Sequence, residues 1–375
     1  MRFEINSSDL TGHLNAVSRV LVSKNAMPIL DNLLFDLKDG QLKITASDGD
    51  TTMITTVPVL SADSDGAFLV PAKTLMDPLK ELPQQILAIE VDNDNYEVIV
   101  SYNNGKYNFI GGNALEYPVL KGLEADASSF EINAQSLLNG IQSTLFATAD
   151  DDLRPVMNGI YFDVRDDRVV FVASDSKKLV RLINTTVAPG FTRSFILPKK
   201  PAVLLKNVIS KDQLLCTITF DTKSARFQLG DYQLSCRLVD GKYPRYEVVI
   251  PKNNNNRLTI DRQTFLTSLR RISVFANSAT NQVKFVLEPT QLTVSAQDAD
   301  FSTSGIETLS CSYEGTPMSI GFRANFLIEI LNTVTSQEVE MLLSDPARAG
   351  LVTPVQGNEG EDLLMLIMPM MLTDF

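Results

Sequence analysis

The chain has no tryptophan, one histidine and three cysteines in 375 residues, and it carries less base than acid. Around the lone His13 nothing marks a nucleophile or an orienting acid, which argues against a histidine-based triad. Cys216, Cys236 and Cys311 cannot all pair and none sits in a Cys-x-x-Cys spacing, so neither a disulfide scaffold nor a zinc ribbon is expected. Nineteen glycines and 17 prolines are too few for a collagenous or low-complexity chain. The longest apolar run, Leu363 to Leu372, is interrupted by Pro369 and falls far short of the roughly 20 residues a membrane span needs. Met1-Arg2-Phe3-Glu4-Ile5-Asn6 has no apolar h-region, so the expectation is an unexported, cytoplasmic protein. No Gly-rich phosphate loop occurs. Asp48-Gly49-Asp50 and Asp298-Ala299-Asp300 resemble metal ligands, but Asp175-Ser176-Lys177 between them lacks the second acid and none leads to a closing Glu, so hairpin turns fit better. No catalytic residue, metal or cofactor is expected.

What the chain does have is repetition. Phe3-Glu4-Ile5-Asn6 returns as Phe130-Glu131-Ile132-Asn133 and, more loosely, as Leu258-Thr259-Ile260-Asp261. Thr45-Ala46-Ser47-Asp48 returns as Val172-Ala173-Ser174-Asp175 and Ser295-Ala296-Gln297-Asp298. Phe68-Leu69-Val70-Pro71 is echoed by Phe195-Ile196-Leu197-Pro198 and Ile320-Gly321-Phe322-Arg323, and the thirds close on Tyr117-Pro118, Tyr243-Pro244 and Met368-Pro369. Motifs kept in one order at one offset mean a tandem triplication. The three domains are expected at 1–122, 128–250 and 257–375, with Lys252-Asn253-Asn254-Asn255-Asn256 as a solvated linker.

Each third halves again. Residues 2–6 alternate as a strand; from Ser7, read as an N-cap, Leu10, Leu14, Val17 and Leu21 keep helical spacing. Three strand-like runs follow, and then the order recurs, giving βαβββ twice per third. One helix to four strands predicts an α+β fold with the helices on one face of antiparallel sheets.

Charge divides by location. Helices predicted at 7–24, 73–82, 136–147, 199–211, 262–276 and 323–335 hold 12 Lys/Arg and four Asp/Glu, although the whole chain carries −12. Lys and Arg favour helices, but Glu does so almost equally, so a basic helical layer on an acidic body suits a surface that holds a polyanion. The C-terminal Leu363–Leu372 run contains four of the 11 methionines. Methionine-rich surfaces suit a groove that accepts several peptides.

Triplicate paired βαβββ units, the basic helical layer and the Met368-Pro369-Met370 ending together make the chain similar to the bacterial sliding clamp family, the β subunit or processivity factor of DNA polymerase III. The resemblance runs from Met1-Arg2-Phe3 through Met27-Pro28-Ile29-Leu30 to the C-terminus. It implies three tandem DNA-clamp domains and a head-to-tail homodimeric ring around duplex DNA. Such a ring is non-enzymatic, has no cofactor, and tethers polymerases in the cytoplasm in association with the nucleoid.

By the same resemblance the dimer interface takes in Tyr107, Phe109 and Phe275. Lys24 and Arg154 align with basic residues that touch or approach DNA, and Arg19, Lys73, Lys199, Lys200, Lys206, Arg270 and Arg271 join them on the DNA side. The partner-peptide pocket maps onto Met157, Ser174, Lys177, Lys178, Leu179, Pro244, Val248, Val249, Leu366, Met368, Pro369, Met370, Met371 and Leu372. Implied partners are the polymerase III catalytic subunit, the clamp loader, translesion polymerases and mismatch-repair proteins, each through a short peptide with a Gln and a Leu-Phe-like end. Here Ser176-Lys177-Lys178 and the apolar Val248 and Met371 depart from the family pattern, which makes the pocket greasier and less cationic. Thr373-Asp374-Phe375 extend past the usual end, leaving Phe375 free to occupy or cap it. The rival reading is a β-rich multidomain scaffold that binds peptides but no DNA.

Overall fold

The computed structural model describes residues 1–372 except 24, 26, 119–121 and 211–213. Among them are six α-helices: α1 (Ser7–Val17), α2 (Ala72–Lys80), α3 (Ala134–Leu145), α4 (Lys199–Val208), α5 (Arg262–Ile272) and α6 (Ala324–Thr333). Each follows a strand, and the recurring Phe-Glu-Ile-Asn motif shows why. Its apolar residues point inward, Phe3 and Ile5 each 1% exposed. Its last residue caps the helix: Asn6 Oδ1 accepts from Ser8 N, Asn133 Oδ1 from Gln135 N, and Asp261 Oδ1 from Thr264 N. The cap of α1 is therefore Asn6 and not the expected Ser7, which is buried, with its hydroxyl donating to Pro83 O. The first helix is also shorter than predicted: a 3-10 turn, Ser18–Val20, follows Val17, and Leu21 is extended.

Contacts divide the chain into two compact units, Met1–Leu138 with Lys200–Leu238, and Asn139–Lys199 with Val239–Phe375. The first unit holds a five-stranded sheet in the order 61–62, 2–6, 86–91, 97–102, 105–110. Its nine-stranded sheet runs from 112–113 through Thr51–Pro58, which pairs with Tyr232–Arg237, to the edge strand Ser128–Asn133. The second unit has the matching nine-stranded sheet, in which Lys178–Asn184 pairs with Glu361–Ile367, and a four-stranded sheet whose edge is Thr303–Ser310. All these pairings are antiparallel, so the architecture is α+β.

In the second unit, Phe265 of α5, Phe285 and Phe322 form a ring chain with centroids 5.6 and 5.5 Å apart. Leu327 and Ile330 of α6 and Met341, Met365 and Ile367 of the sheet complete that core. Alternate residues of the same strands, Leu179, Leu351 and Leu366, belong to a second apolar cluster. Because successive strand side chains point to opposite faces, this sheet is apolar on both.

Gly140 sits in α3 where a Cβ would meet the Phe171 ring at 2.6 Å. That ring is fully buried and packed edge-on against Phe162, 4.8 Å between centroids. Gly140→Val is therefore expected to cost roughly 2–3 kcal/mol, read as a lower urea midpoint.

Candidate partner groove and DNA-facing helices

The second apolar face of the unit-2 sheet gathers Val170, Val172, Leu179, Ile196, Leu351 and Leu366 under Tyr243 and Tyr246, with Val156 and Val239 partly buried beside them. Residues 368–372 continue from the strand that ends at Ile367 and are tied down as a strap. Met368 N donates to Lys177 O (3.0 Å), Met370 N donates to Gly321 O (2.8 Å), and Gln282 Nε2 donates to Met371 O (2.9 Å). A side chain at Gly321 would collide with Met370 O and with Leu372, so a glycine is needed for the strap to lie this close.

Two turns flank the strap. In the first, Ser174 Oγ donates to Lys178 O (2.9 Å), Asp175 Oδ1 accepts from Lys177 N and Lys178 N, and Ser176 adopts φ 71°. Arg154, ion-paired to Asp151, also donates to Ser176 Oγ (3.1 Å). The second turn is the 3-10 helix Tyr246–Val249. Several of the expected pocket side chains are open: Met371 is 90% exposed and Val248 75%, with Val249 and Met368 also exposed.

Most of the expected pocket residues thus share one region. Leu179 and Leu366 belong to the apolar cluster, Met368 N just beyond Leu366 in the chain donates to Lys177 O, and Val248, Val249 and Pro244 are exposed on the segment that carries Tyr243 and Tyr246. Met157 is 8% exposed and ends the 3-10 turn after Arg154, and Ser174 is buried. Lys178 does not join them. Its side chain points to the helical face, where Nζ donates to Glu329 Oε2 of α6 (2.6 Å), 4.3 Å from the Phe326 ring centroid and 5.6 Å from that of Phe146. Strand alternation separates it from Leu179, and its Nζ is ion-paired with Glu329 (2.6 Å) and lies 3.6 Å from Asp175. The expected cap at Phe375 lies outside the described residues.

The first unit repeats this geometry without the apolar surface. Arg237 N donates to Asp50 O (2.9 Å) just as Met368 N does to Lys177 O, and Ser47 Oγ donates to Thr51 O as Ser174 does to Lys178. There, however, Thr52 stands in place of Leu179 and Arg237 in place of Met368, and Arg237 pairs with Asp50 (3.4 Å).

The helical layer is less basic than the sequence suggested. Within the observed helices are eight Lys/Arg and three Asp/Glu, a net +5 rather than +8, because Arg19, Glu81 and Arg323 fall outside them and Lys24 and Lys211 lie outside the described residues. Several cations are also engaged. Lys199 pairs with Asp150 (3.0 Å), and Lys200 with Asp48 and Val20 O. Arg271 holds Glu307 through two 2.7 Å bonds, which lower the Glu307 carboxyl below its usual range, and Arg270 donates to Asn332 Oδ1 (2.8 Å). Arg262 ties α5 to α6 through Leu331 O and Ser336 O. Arg19, Lys73 and Lys206 are exposed with no ion pair among the described residues, whereas Lys24 lies outside them. Sequence counting cannot distinguish a free cation from one already paired across the fold.

The remaining titratable features are structural. His13 Nδ1 lies 2.6 Å from Thr55 Oγ1, and the ring stacks on Tyr232 (5.4 Å). Desolvation lowers its pKa, opposed by Asp231 and Asp9. Asp48 Oδ1 accepts from Asp50 N and Thr51 N, and Asp298 Oδ1 from Asp300 N, as turn-closing carboxylates do. Burial pushes the Cys216 and Cys236 thiols up to about 12, so both remain protonated apolar fillers. Among the described residues no cluster of His, Cys, Asp and Glu is placed to hold a metal, and no helix is long and apolar enough to cross a membrane.

Two sheet edges complete the surface. The strand Gly105–Ile110 leaves one side unpaired and carries Tyr107 and Phe109, stacked 6.4 Å apart. The Tyr107 hydroxyl is buried without a partner, and burial raises its pKa to about 12. On the second unit, the edge strand Thr303–Ser310 carries Ile306 (71% exposed) beside Val274 and Phe275. Gly305 lets the Phe275 ring lie across that strand, since a Cβ there would be 2.6 Å from it.

Triplicate paired βαβββ units, an apolar groove near the C-terminus and a helical layer with free cations define a DNA-clamp fold. The chain belongs to the DNA polymerase III beta subunit family: models of that family's N-terminal, central and C-terminal domains match residues 1–121, 131–245 and 247–371. It is similar to the beta sliding clamp of Synechococcus elongatus, 28% identical over 99% of this chain and all of that one. It is also similar to that of Escherichia coli, 24% identical over the same shares. The crystal structure of a DnaN sliding clamp from Pseudomonas aeruginosa bound to griselimycin superposes with a TM-score of 0.94 at 25% identity, covering 99% of this chain and all of that one. The DnaN clamp from Bartonella birtlesii gives 0.92 at 27% over the same shares. As a member of this family the chain is a DNA sliding clamp that tethers a polymerase to its template, a processivity factor rather than an enzyme.

Proposed function

We propose that two copies close head to tail, the Gly105–Ile110 edge of one pairing with the Thr303–Ser310 edge of the other, into a ring through which duplex DNA is threaded. What carries this reading is the presence of one unpaired, apolar-flanked sheet edge in each unit, a liability that a solitary protein normally blunts. Such a heterologous contact closes when the rotation completes a circle, and neither of these two edges is then left unpaired. The domains at 1–122, 128–250 and 257–375 contribute two helices each, twelve per ring. Arg19, Lys73 and Lys206, with Lys24 and Arg154, meet phosphates without reading bases, because a sliding ring must hold every sequence equally.

The strap-lined groove takes short peptides with a Gln and a Leu-Phe-like end from the polymerase III catalytic subunit, the clamp loader, translesion polymerases and mismatch-repair proteins. Its partners compete, since each chain offers one such surface. The ring works at the nucleoid.

Retention is then topological. After loading by its cognate loader, the protein is expected to stay on nicked circular DNA and to be lost from the same DNA once linearised, assayed by gel filtration. Equal loss from both forms would count against threading. The triple variant Arg19→Glu, Lys73→Glu, Lys206→Glu is expected to keep the dimer and slow loading several-fold at low salt. The difference should shrink as ionic strength rises, because these cations are solvent-exposed.

A further inference from the structure

We propose that Arg165 is a positioning residue for partner binding, fixing the Tyr246–Val249 wall of the groove to the strand Gly159–Arg165. This rests on the peptide-groove reading above and adds the device that holds the groove's shape. The Tyr246–Val249 turn has no side-chain cap, and among the described residues no backbone hydrogen bond joins residues 244–250 to the rest of the protein. Its two outward residues, Val248 and Val249, are more than half exposed and cannot anchor it. The wall is therefore held by side chains, and they converge on one atom.

Asp163 Oδ2 accepts from Arg165 Nε (3.0 Å), from Arg165 Nη2 (2.7 Å) and from the Tyr246 hydroxyl (2.9 Å). Arg165 Nη2 then reaches Glu247 Oε1 (2.7 Å) and lies 3.3 Å from the Tyr246 oxygen. A single guanidinium thus links a 9%-exposed carboxylate on the strand to two consecutive residues of the wall. The Tyr246 ring packs edge-on to Tyr161 (6.2 Å), and Tyr161 stacks flat on Tyr243 (4.7 Å, 5°), so the same anchor orders the aromatic lid over the groove floor. Only the planar fork of arginine can serve these acceptors together; an ammonium is a point donor.

Removing the guanidinium leaves Asp163 half-satisfied and frees Glu247. The wall then has to be ordered at the moment of binding, which raises the entropic cost of the complex and shows mainly in dissociation. The test uses the full-length protein and a fluorescent synthetic peptide that begins with Gln and ends with Leu-Phe, read by anisotropy and stopped flow.

Arg165→Met is expected to weaken binding roughly 5- to 20-fold, chiefly through faster release, while the loaded ring is still retained on circular DNA. Arg165→Lys, which keeps the bond to Asp163 alone, should recover part of the loss. The double variant Arg165→Met, Asp163→Leu removes the buried charge as well as its partner and should restore stability without restoring affinity. Arg165→Met binding within twofold of the unsubstituted protein would overturn the proposal. So would a double variant that regains full affinity, because the loss would then have been one of stability. If the unsubstituted protein does not bind the peptide, the groove reading itself fails, an outcome distinct from both.

Discussion

Phe109→Asp combined with Ile306→Asp is expected to leave a folded protein that sediments as a monomer and is not retained on DNA. Both side chains sit on edge strands already paired on their inner side, Gly105–Ile110 with Glu97–Tyr102 and Thr303–Ser310 with Gln291–Asp298; Ile306 is 71% exposed and Phe109 half-buried, so neither change removes a fully buried core side chain. In the proposed ring each would meet an apolar partner instead. Because both interfaces of a two-membered ring are alike, the two changes place four carboxylates in apolar contacts. Each burial without a partner costs a few kcal/mol, and a total of about 4 kcal/mol already weakens association a thousandfold. Leu214→Asp, at a 75%-exposed position away from either edge strand, should change nothing and controls for added charge.

Sedimentation of the double variant as a dimer at micromolar concentration would remove these edges as the interface. Monomers retained on circular DNA would remove topological threading altogether.

The fold was legible because the repeat carries its own physics. Phe3, Ile5 and Asn6 bury two side chains and cap a helix, and the same three tasks recur at Phe130, Ile132 and Asn133. What the sequence hid was what each residue faces. Leu363–Leu372 reads as one apolar run because its strand is buried on both sides: Met365 and Ile367 lie under α6, while Leu364 and Leu366 lie against Tyr243 and Tyr246. Periodicity cannot assign such a run to a face. Lys178 was misplaced by the same ambiguity, one residue of register separating the groove from the Phe326 and Glu329 side. Arg165 carried no signal, because Tyr246 and Glu247, more than 80 residues away in the chain, become its partners only on folding, and nearby Asp163 alone does not mark a wall. The cations of α4 and α5 looked free for the same reason, until Asp48, Asp150 and Glu307 came into reach.

The groove offers the second large effect. Val248→Asp with Met371→Asp is expected to abolish binding of the Gln-to-Leu-Phe peptide and with it processive synthesis, while dimerisation and retention on circular DNA persist. Both residues are mostly exposed in the free protein, so the fold loses little when they change. A bound peptide would bury them, and full burial of one such side chain stabilises by roughly 2 kcal/mol, which makes the pair worth about 4 kcal/mol and a thousandfold in affinity. Leu366→Asp should behave differently. Leu366 is 5% exposed and packs with Leu351 and Leu179, so its replacement unfolds the sheet face and takes DNA retention down together with peptide binding. The contrast is the informative part. A floor residue fails in every assay because it holds the sheet, whereas a rim residue fails only where a partner must dock. If Val248→Asp, Met371→Asp binds peptide as well as the unsubstituted protein, the docking surface lies elsewhere and these exposed apolar side chains have no partner to explain them.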